Sequence, residues 1–124
     1  MAEQNTDKTN KRLHENPDIS IVVPLLNEED SLRELSDRIR EALNEYSYEI
    51  LFVDDGSDDG SWNEIEALGS GDNCVRGIKL RRNYGKSSAL QAGFMEASGE
   101  YIVTMDADLQ DDPFEIPDMI QKLK

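Results

Sequence analysis

Four aspartates fall within the seven residues 106–112, directly after the short apolar run YIVTM. In an extended segment alternate side chains point the same way, so Asp106, Asp108 and Gln110 can present two carboxylates and one amide oxygen to a common point. Such hard oxygen ligands suit Mg²⁺ or Mn²⁺ that shares its coordination shell with phosphate oxygens. The same spacing also arises by chance in an acidic chain, as Glu64 and Glu66 show on a predicted helix face. The position at the end of a predicted strand favours a metal site at 106–110.

A second acidic segment, DDGS at 54–57, follows another apolar run. A carboxylate at the end of a parallel strand can accept a hydrogen bond from a ribose hydroxyl or from a base N–H. Asp-Gly-Ser also forms turns readily, and an aspartate there can cap the helix that follows. The two interpretations are compatible if one of Asp54 and Asp55 caps the helix and the other binds the nucleoside.

Basic residues are concentrated in the segment KLRRNYGKSSA, where four of the chain's thirteen lie within eight positions. These four are Lys79, Arg81, Arg82 and Lys86. The cluster can neutralise a diphosphate, although solvated surface charge would explain any one of its members. The triplet GKS at 85–87 also resembles the end of a P-loop, but that motif needs glycine at position 80, which is leucine here. A P-loop nucleotide-binding protein is therefore disfavoured.

Overall composition excludes several classes of function. The chain has 13 basic and 27 acidic side chains and a net charge of −14, so nucleic acid and anionic membranes would repel it. The single cysteine, Cys74, and the lack of an apolar leader favour a reducing, cytoplasmic setting. The only histidine is His14, which excludes histidine-based catalytic triads and zinc sites of the Cys/His type.

The sequence divides into a tail and one folded unit. Residues 1–17 are polar and show no apolar period, which predicts a disordered tail. Residues 18–124 alternate short apolar runs with helical periodicity in the order β-α-β-α-β-α-β. This order predicts an α/β fold with an open, mostly parallel, Rossmann-like sheet. Since the helical pattern still continues at Lys124, we expect the chain to be an N-terminal fragment of a longer domain.

Apolar spacing also predicts which helix faces are buried. The first helix carries Leu32, Leu35, Ile39, Leu43 and Tyr46 at a spacing near 3.6. Asn27 and Asp30 before it resemble a capping box. The third helix is expected to turn Leu90, Phe94 and Ala97 inward. Because ligands of doubly wound sheets bind beyond the carboxyl ends of the strands, the polar loops PLLNEE, DDGSDDG and DADLQDDP are expected to converge on one site.

A receiver domain, which is a signalling switch that accepts a phosphoryl group, is an alternative with the same βα repeats and paired aspartates. Receivers carry their acidic pair after the first strand and end on a fifth strand and helix. In this chain the first strand leads into PLLNEE and the acidic pair follows the second strand. An enzyme site is therefore favoured over a receiver.

Three segments taken together resemble the inverting glycosyltransferases of family 2. They are ISIVVPLLNEEDSLREL, EILFVDDGSDDGS and LRRNYGKSSALQAGFMEASGEYIVTMDADLQDDP. The similarity is to the branch that loads a sugar onto polyprenyl or dolichyl phosphate, and the third segment resembles bacterial undecaprenyl-phosphate transferases of glucose or aminoarabinose type. The resemblance implies a GT-A fold in which residues 18–124 form the nucleotide-sugar-binding half. It also implies a UDP- or GDP-linked sugar donor and Mg²⁺ or Mn²⁺ as cofactor.

The resemblance also implies roles for individual residues. Asp106 and Asp108 would be the catalytic residues at the metal and diphosphate, with Gln110 as a further metal ligand. Together with the basic cluster, the residues expected around the nucleotide are Pro24, Leu26, Asn27, Glu28, Val53, Asp54, Asp55, Arg81, Lys86, Asp106, Ala107 and Asp108. Leu26 departs from the tyrosine common in this branch, and leucine cannot stack on a base as an aromatic ring does.

The expected reaction is transfer of the sugar to a polyprenyl phosphate with inversion at the reacting carbon. A phosphate monoester has a second pKa of about 6 and is mostly ionised near neutral pH, so no protein general base is required. A saccharide hydroxyl is the alternative acceptor, and it would need a carboxylate base in the acceptor half of the domain. We expect that half to lie beyond residue 124, so that the fragment binds donor without transferring it. The longer parent is expected at the cytoplasmic face of the membrane.

Overall fold

The computed structural model describes residues 16–124. Its strands are β1 (Ile19–Leu25), β2 (Tyr48–Asp54), β3 (Val75–Lys79) and β4 (Tyr101–Thr104). Its helices are α1 (Leu32–Ala42), α2 (Ser61–Gly71), α3 (Lys86–Glu96) and α4 (Ile116–Leu123), with a short 3₁₀ turn at Pro113–Glu115. None of the helices described in 16–124 is both long and apolar enough to cross a membrane. The predicted tail lies outside the described residues as far as position 15.

The four strands form one parallel sheet in the order β3-β2-β1-β4, which confirms the predicted open α/β fold. Strand β1 lies at the centre, where Val22 pairs with Leu51 on one side and with Thr104 on the other. After β3 the chain returns over the sheet to the far side of β1, so the strand order reverses between β1 and β4. Such a reversal opens a crevice at the carboxyl ends of the strands, which is where ligands bind in this architecture. A receiver has the order 2-1-3-4-5, so this sheet is not a receiver sheet.

Alternation along the central strands divides the core into two layers. Every residue of β1 is buried, as expected of a strand covered on both faces. Ile19, Ile21 and Val23 pack with α1, α2 and α4 on one face of the sheet, whereas Val22 packs with α3 on the other. Four of the predicted inward positions of the first helix are confirmed, since Leu32, Leu35, Ile39 and Leu43 are fully buried. The fifth, Tyr46, lies beyond the end of α1 and is only partly buried.

Helix α3 departs from its predicted packing. Ala89 and Gly93 face the sheet, and an added Cβ at Gly93 would overlap the side chain of Val22. The prediction that Phe94 points inward is wrong, because its side chain is 45% exposed. Small residues let α3 lie close to β1 and β2, and the helical period then turns the neighbouring phenylalanine to solvent. Leu90 and Ala97 are partly buried against the same layer, as predicted.

Candidate functional site

A cavity of about 550 Å³ lies at the carboxyl ends of the strands, beside the reversal in strand order. Its lining residues are Pro24, Leu25, Leu26, Glu28, Asp55, Asn83, Gly85, Lys86, Ala89, Asp106, Ala107 and Asp108. They come from the end of β1, from the loops after all four strands and from the start of α3. The predicted convergence of the polar loops after β1, β2 and β4 on one site is therefore observed.

Most of the residues predicted from the sequence line this cavity, and some do not. Those outside its lining are Asn27, Val53, Asp54, Arg81 and Gln110. The residues that sequence reasoning missed are Leu25, Asn83, Gly85 and Ala89. A signal for Ala89 was present, since it lies three residues after Lys86 and so on the same helix face.

Asn27 braces the loop after β1 against the loop after β2. Its side-chain Oδ1 accepts hydrogen bonds from the backbone N–H of Asp58 (2.8 Å) and Asp59 (3.3 Å), and its own N–H donates to Ser57 Oγ (2.8 Å). Its φ of 58° lies in the left-handed region, which asparagine tolerates better than most residues. The predicted capping box is wrong, because α1 takes Ser31 as its N-cap. Asn27 therefore holds backbone groups that position the site.

Asp54, the last residue of β2, and Asp55, which follows it, divide the two roles that the sequence left open. Asp54 is almost fully buried, and its Oδ1 accepts the backbone N–H of Ser57 (2.9 Å), which closes the turn. Asp55 lines the cavity and is 5% exposed, with Oδ1 accepting from Tyr84 N–H (2.8 Å) and Oδ2 from Gly85 N–H (3.0 Å). Asp55 therefore fixes the loop after β3 as well as facing the cavity. Val53 is buried in the layer beneath α3.

The segment after β4 presents Asp106 and Asp108 to the cavity but not Gln110. The strand ends at Thr104, and Leu109 has a φ of 67°, so the chain turns before it reaches position 110. Asp108 Oδ1 accepts the Gln110 backbone N–H (3.2 Å) within this turn. Asp106 and Asp108 therefore both reach the cavity as predicted, although the chain between them is already a turn and not an extended segment. That Gln110 binds the metal therefore remains a prediction.

A divalent metal fits this donor set if the substrate completes its coordination. Within residues 16–124 no group of three or more His, Cys, Asp and Glu side chains could hold a metal. Asp106 and Asp108 supply two hard oxygen donors on one wall of the cavity. Mg²⁺ is commonly bound through one or two carboxylates together with substrate phosphates and water, and Mn²⁺ prefers the same oxygen donors.

Lys86 is the member of the basic cluster that reaches the cavity. It is the first residue of α3, and its Nζ lies 2.8 Å from Asp106 Oδ1. The hydrogen bond and the charge of this carboxylate raise the pKa of the Lys86 ammonium above its ordinary value. The other members lie elsewhere: Lys79 sits over the Trp62 ring, Arg82 sits over the Tyr84 ring, and Arg81 is exposed.

Comparison with known proteins relates this chain to sugar transferases. The sequence model of glycosyl transferase family 2 matches residues 20–124. The undecaprenyl-phosphate 4-deoxy-4-formamido-L-arabinose transferase of Shewanella sediminis (strain HAW-EB3) is 48% identical over 107 residues, which are 84% of this chain and 32% of that protein. This chain thus spans about a third of the length of the curated relatives it matches.

Two solved structures show the same fold with ligands bound. A mannosyltransferase from Pyrobaculum calidifontis in complex with GDP-Man and Mn²⁺ has a TM-score of 0.66 and 26% identity, over 77% of this chain and 28% of that one. A glucosyl-3-phosphoglycerate synthase from Mycobacterium tuberculosis in complex with Mn²⁺, UDP and phosphoglyceric acid has a TM-score of 0.69 and 27% identity, over 86% of this chain and 39% of that one. The parallel sheet of this chain therefore matches the GT-A structures.

Proposed function

The chain belongs to glycosyl transferase family 2, and we propose that it is the donor-binding part of a metal-dependent transferase acting on a polyprenyl phosphate. The donor is a sugar linked to UDP or GDP. The observation that carries this proposal is the cavity in which Asp106, Asp108 and Lys86 lie together at the reversal of strand order. Two carboxylates and one ammonium in a nucleotide crevice suit a diphosphate whose charge is shared with a metal.

The donor occupies the cavity from its apolar wall to its charged wall. Pro24 and Leu26 form the apolar wall, and Leu26 is partly exposed and free to contact a base. Asp55 also lines the cavity, where its carboxylate can accept a hydrogen bond from the nucleoside while it keeps its backbone partners. The diphosphate then lies against Lys86 and the aspartates after β4. This placement uses each wall for the group whose chemistry it matches.

The chemistry needs stabilisation of a leaving diphosphate. As the bond from the anomeric carbon to the diphosphate breaks, negative charge grows on the leaving oxygen, and the Lys86 ammonium stabilises it. Asp106 and Asp108 would hold the metal, which when bound supplies further positive charge to the same phosphates. These residues therefore act on the departing group and not on the attacking one.

The acceptor proposed here is a polyprenyl phosphate, because curated relatives of this chain are named as undecaprenyl-phosphate transferases. A phosphate monoester with a second pKa of about 6 is mostly a dianion at neutral pH, so its oxygen can attack without a protein base. One displacement forms the new bond opposite to the departing diphosphate and inverts the anomeric carbon. The sugar carried by those relatives, 4-deoxy-4-formamido-L-arabinose, is the first donor to test.

Binding calorimetry tests the donor assignment directly. UDP and GDP are titrated into the chain with and without Mn²⁺, beside ATP as the competing nucleotide. We expect Mn²⁺-dependent binding of UDP or GDP and weaker binding of ATP. Asp108→Asn should abolish that binding, whereas Glu66→Gln should leave it unchanged because Glu66 is exposed on α2. Tight ATP binding without UDP or GDP binding, or equal effects of the two substitutions, would contradict the assignment.

We further propose that this chain by itself binds the donor and transfers little sugar. The described cavity supplies groups for the donor, and the curated relatives are about three times longer than the part matched here. Holding one reactant alone forfeits most of the orientation advantage, on the order of 7–11 kcal/mol in favourable cases. A labelled-donor assay with undecaprenyl phosphate should show transfer by the Shewanella relative and almost none by this chain. Equal transfer by both proteins would refute the proposal that this chain binds the donor without transferring it.

A further inference from the structure

The ion pair between Lys86 and Asp106 occupies a carboxylate that the proposed function assigns to the metal. Nζ of Lys86 lies 2.8 Å from Oδ1 of Asp106 on the wall of the cavity. We propose that Lys86 takes the place of the divalent cation on Asp106 in the free protein, and that it moves from Asp106 to the diphosphate when metal and donor bind. The proposal rests on the proposed function and concerns how its two ligands depend on each other.

A nearby anion stabilises Lys86 because of its position in α3. A helix N-terminus carries partial positive charge, so a cation at its first residue is unfavourable. Helix α3 has no acidic residue in its first turn and no side-chain cap at Gly85. Asp106, from the segment after β4, supplies the missing negative charge. A bound diphosphate would supply it equally well and would release Asp106.

The exchange needs only a side-chain movement. The Lys86 and Asp106 side chains are 64% and 50% exposed, and ion pairs this exposed are weak because water screens them. The backbone beneath Lys86 is fixed, since the buried Asp55 carboxylate accepts both the Tyr84 and the Gly85 N–H. The four-carbon stem of lysine can therefore swing while the helix start stays in place.

This arrangement makes metal and donor bind cooperatively. In the free protein a divalent cation must displace Lys86 from Asp106 and then tolerate the ammonium nearby. When a diphosphate is present, Lys86 can pair with it instead of with Asp106. The Asp106 carboxylate would then be free to bind the metal. Because coupling between two ligands is reciprocal, the nucleotide must also bind more tightly when metal is present.

The test is Mn²⁺ binding without nucleotide, followed through the electron paramagnetic resonance signal of the free ion. Lys86→Gln should bind Mn²⁺ roughly three- to tenfold more tightly than the parent chain, as expected for the loss of a weak ion pair and one adjacent charge. Lys86→Arg keeps the cation and should bind like the parent. Lys79→Gln is the charge-matched control, because Lys79 sits over the Trp62 ring and outside the cavity lining. Its Mn²⁺ affinity should change by less than about twofold.

Repeating the titrations with saturating UDP or GDP measures the coupling. We expect the nucleotide to tighten Mn²⁺ binding in the parent chain and to tighten it less in Lys86→Gln. An unchanged or weaker Mn²⁺ affinity of Lys86→Gln without nucleotide would overturn the inference, as would an equal gain in Lys79→Gln. Absence of any nucleotide effect in the parent would instead refute the proposed function, while the titrations without nucleotide still decide the role of Lys86. Circular dichroism confirms that each variant is folded.

Discussion

The close contact between the loops after β2 and β3 can be measured with three glycine-to-alanine substitutions. An added Cβ at Gly56 would lie 2.5 Å from Asn83 N and 2.6 Å from the Arg82 carbonyl carbon, and Gly56 has a φ of 86°. Gly85 has a φ of 105°, but its Cβ would meet nothing within 4 Å. Gly71, at the end of α2, has open space and no positive φ. The three sites therefore separate backbone strain from steric overlap.

The expected costs follow from those two terms. Gly85→Ala should lower the free energy of unfolding by about 1–3 kcal/mol, because it pays only the strain of a conformation that glycine alone adopts readily. Gly56→Ala adds overlap with backbone atoms to a strain of about 1–2 kcal/mol, for a total of about 2–5 kcal/mol. Gly71→Ala should raise stability by roughly 0.4–1 kcal/mol, since alanine restricts the unfolded chain without native strain.

Urea unfolding followed by the fluorescence of Trp62, the only tryptophan, gives the three values. Trp62 is partly buried against the core, so its emission reports loss of packing. The order of stability should be Gly71→Ala, parent chain, Gly85→Ala and Gly56→Ala. If Gly56→Ala were no less stable than Gly85→Ala, the two loops would not be in contact at Gly56. If Gly71→Ala were the least stable, the strain argument itself would fail.

Three further substitutions test the hydrogen bonds that hold the site and the sheet. Asp55→Asn should lower stability by roughly 1–3 kcal/mol in urea unfolding, because one backbone N–H of the 84–85 loop then faces an amide donor. Asn27→Ala should cost a similar amount, since it removes the acceptor of two N–H groups and leaves alanine at φ 58°. For Glu49, burial alone would raise the pKa, but hydrogen bonds from Ser20 and Ser98 and the charge of Arg76 outweigh it and lower the pKa below the ordinary 4.5. Its carboxylate therefore stabilises the fold above pH 4.5 and loses this effect as the pH falls through the lowered folded pKa, so the deficit of Glu49→Gln in unfolding free energy should shrink in acid.

Each of these predictions has a matched control on the surface. Asp58→Asn is the control for Asp55→Asn, because it also removes one negative charge and lies only three residues away. Asp58 donates to Asn27 through its backbone N–H, which the substitution keeps, so stability should change little. Asn63→Ala on α2 is the control for Asn27→Ala, and Glu41→Gln on α1 is the control for Glu49→Gln. Equal losses in a variant and its control would show that the hydrogen bond in question does not stabilise the fold. A deficit of Glu49→Gln that grows on acidification would contradict the lowered pKa.

Local patterns in the sequence were sufficient for the architecture. Continuous apolar runs predicted buried strands, and both β1 and β2 are buried almost throughout. A 3.6 spacing predicted the inward face of α1 correctly, because that face is made of large apolar residues. The same reasoning failed for Phe94, where small residues face the sheet and the largest side chain is exposed. Apolar size indicates the buried face only when the packing distance leaves room for it.

The parts of the site that the sequence did not predict arise from one contact between distant segments and from one local turn. Asp55 was expected to bind a nucleoside, but its hydrogen bonds to Tyr84 and Gly85 reach across about thirty residues of sequence. Gln110 was placed beside Asp106 by the period of an extended strand, and the turn at Leu109 breaks that period. The contacts of Asp55 leave no local signal, because they depend on which loops meet at the edge of the sheet. The turn before Gln110 is local, since the Asp108 and Asp111 carboxylates accept backbone N–H groups of the same segment, but the period of a strand does not predict it.

Strand order explains why the site holds together and where it can change. Loops that follow neighbouring strands are tied to each other: Asn27 links the loops after β1 and β2, Asp55 links those after β2 and β3, and Ser31 Oγ donates to the Ala107 carbonyl between those after β1 and β4. The Lys86–Asp106 pair is different, because β3 and β4 lie at opposite edges of the sheet. The pair forms because α3, which begins at Lys86, packs over β1 and β2. The start of this helix therefore lies near the segment after β4, which is the strand next to β1. Breaking this exposed pair leaves the ties between neighbouring loops intact, so the cation on Asp106 can be exchanged without disturbing the fold that positions it.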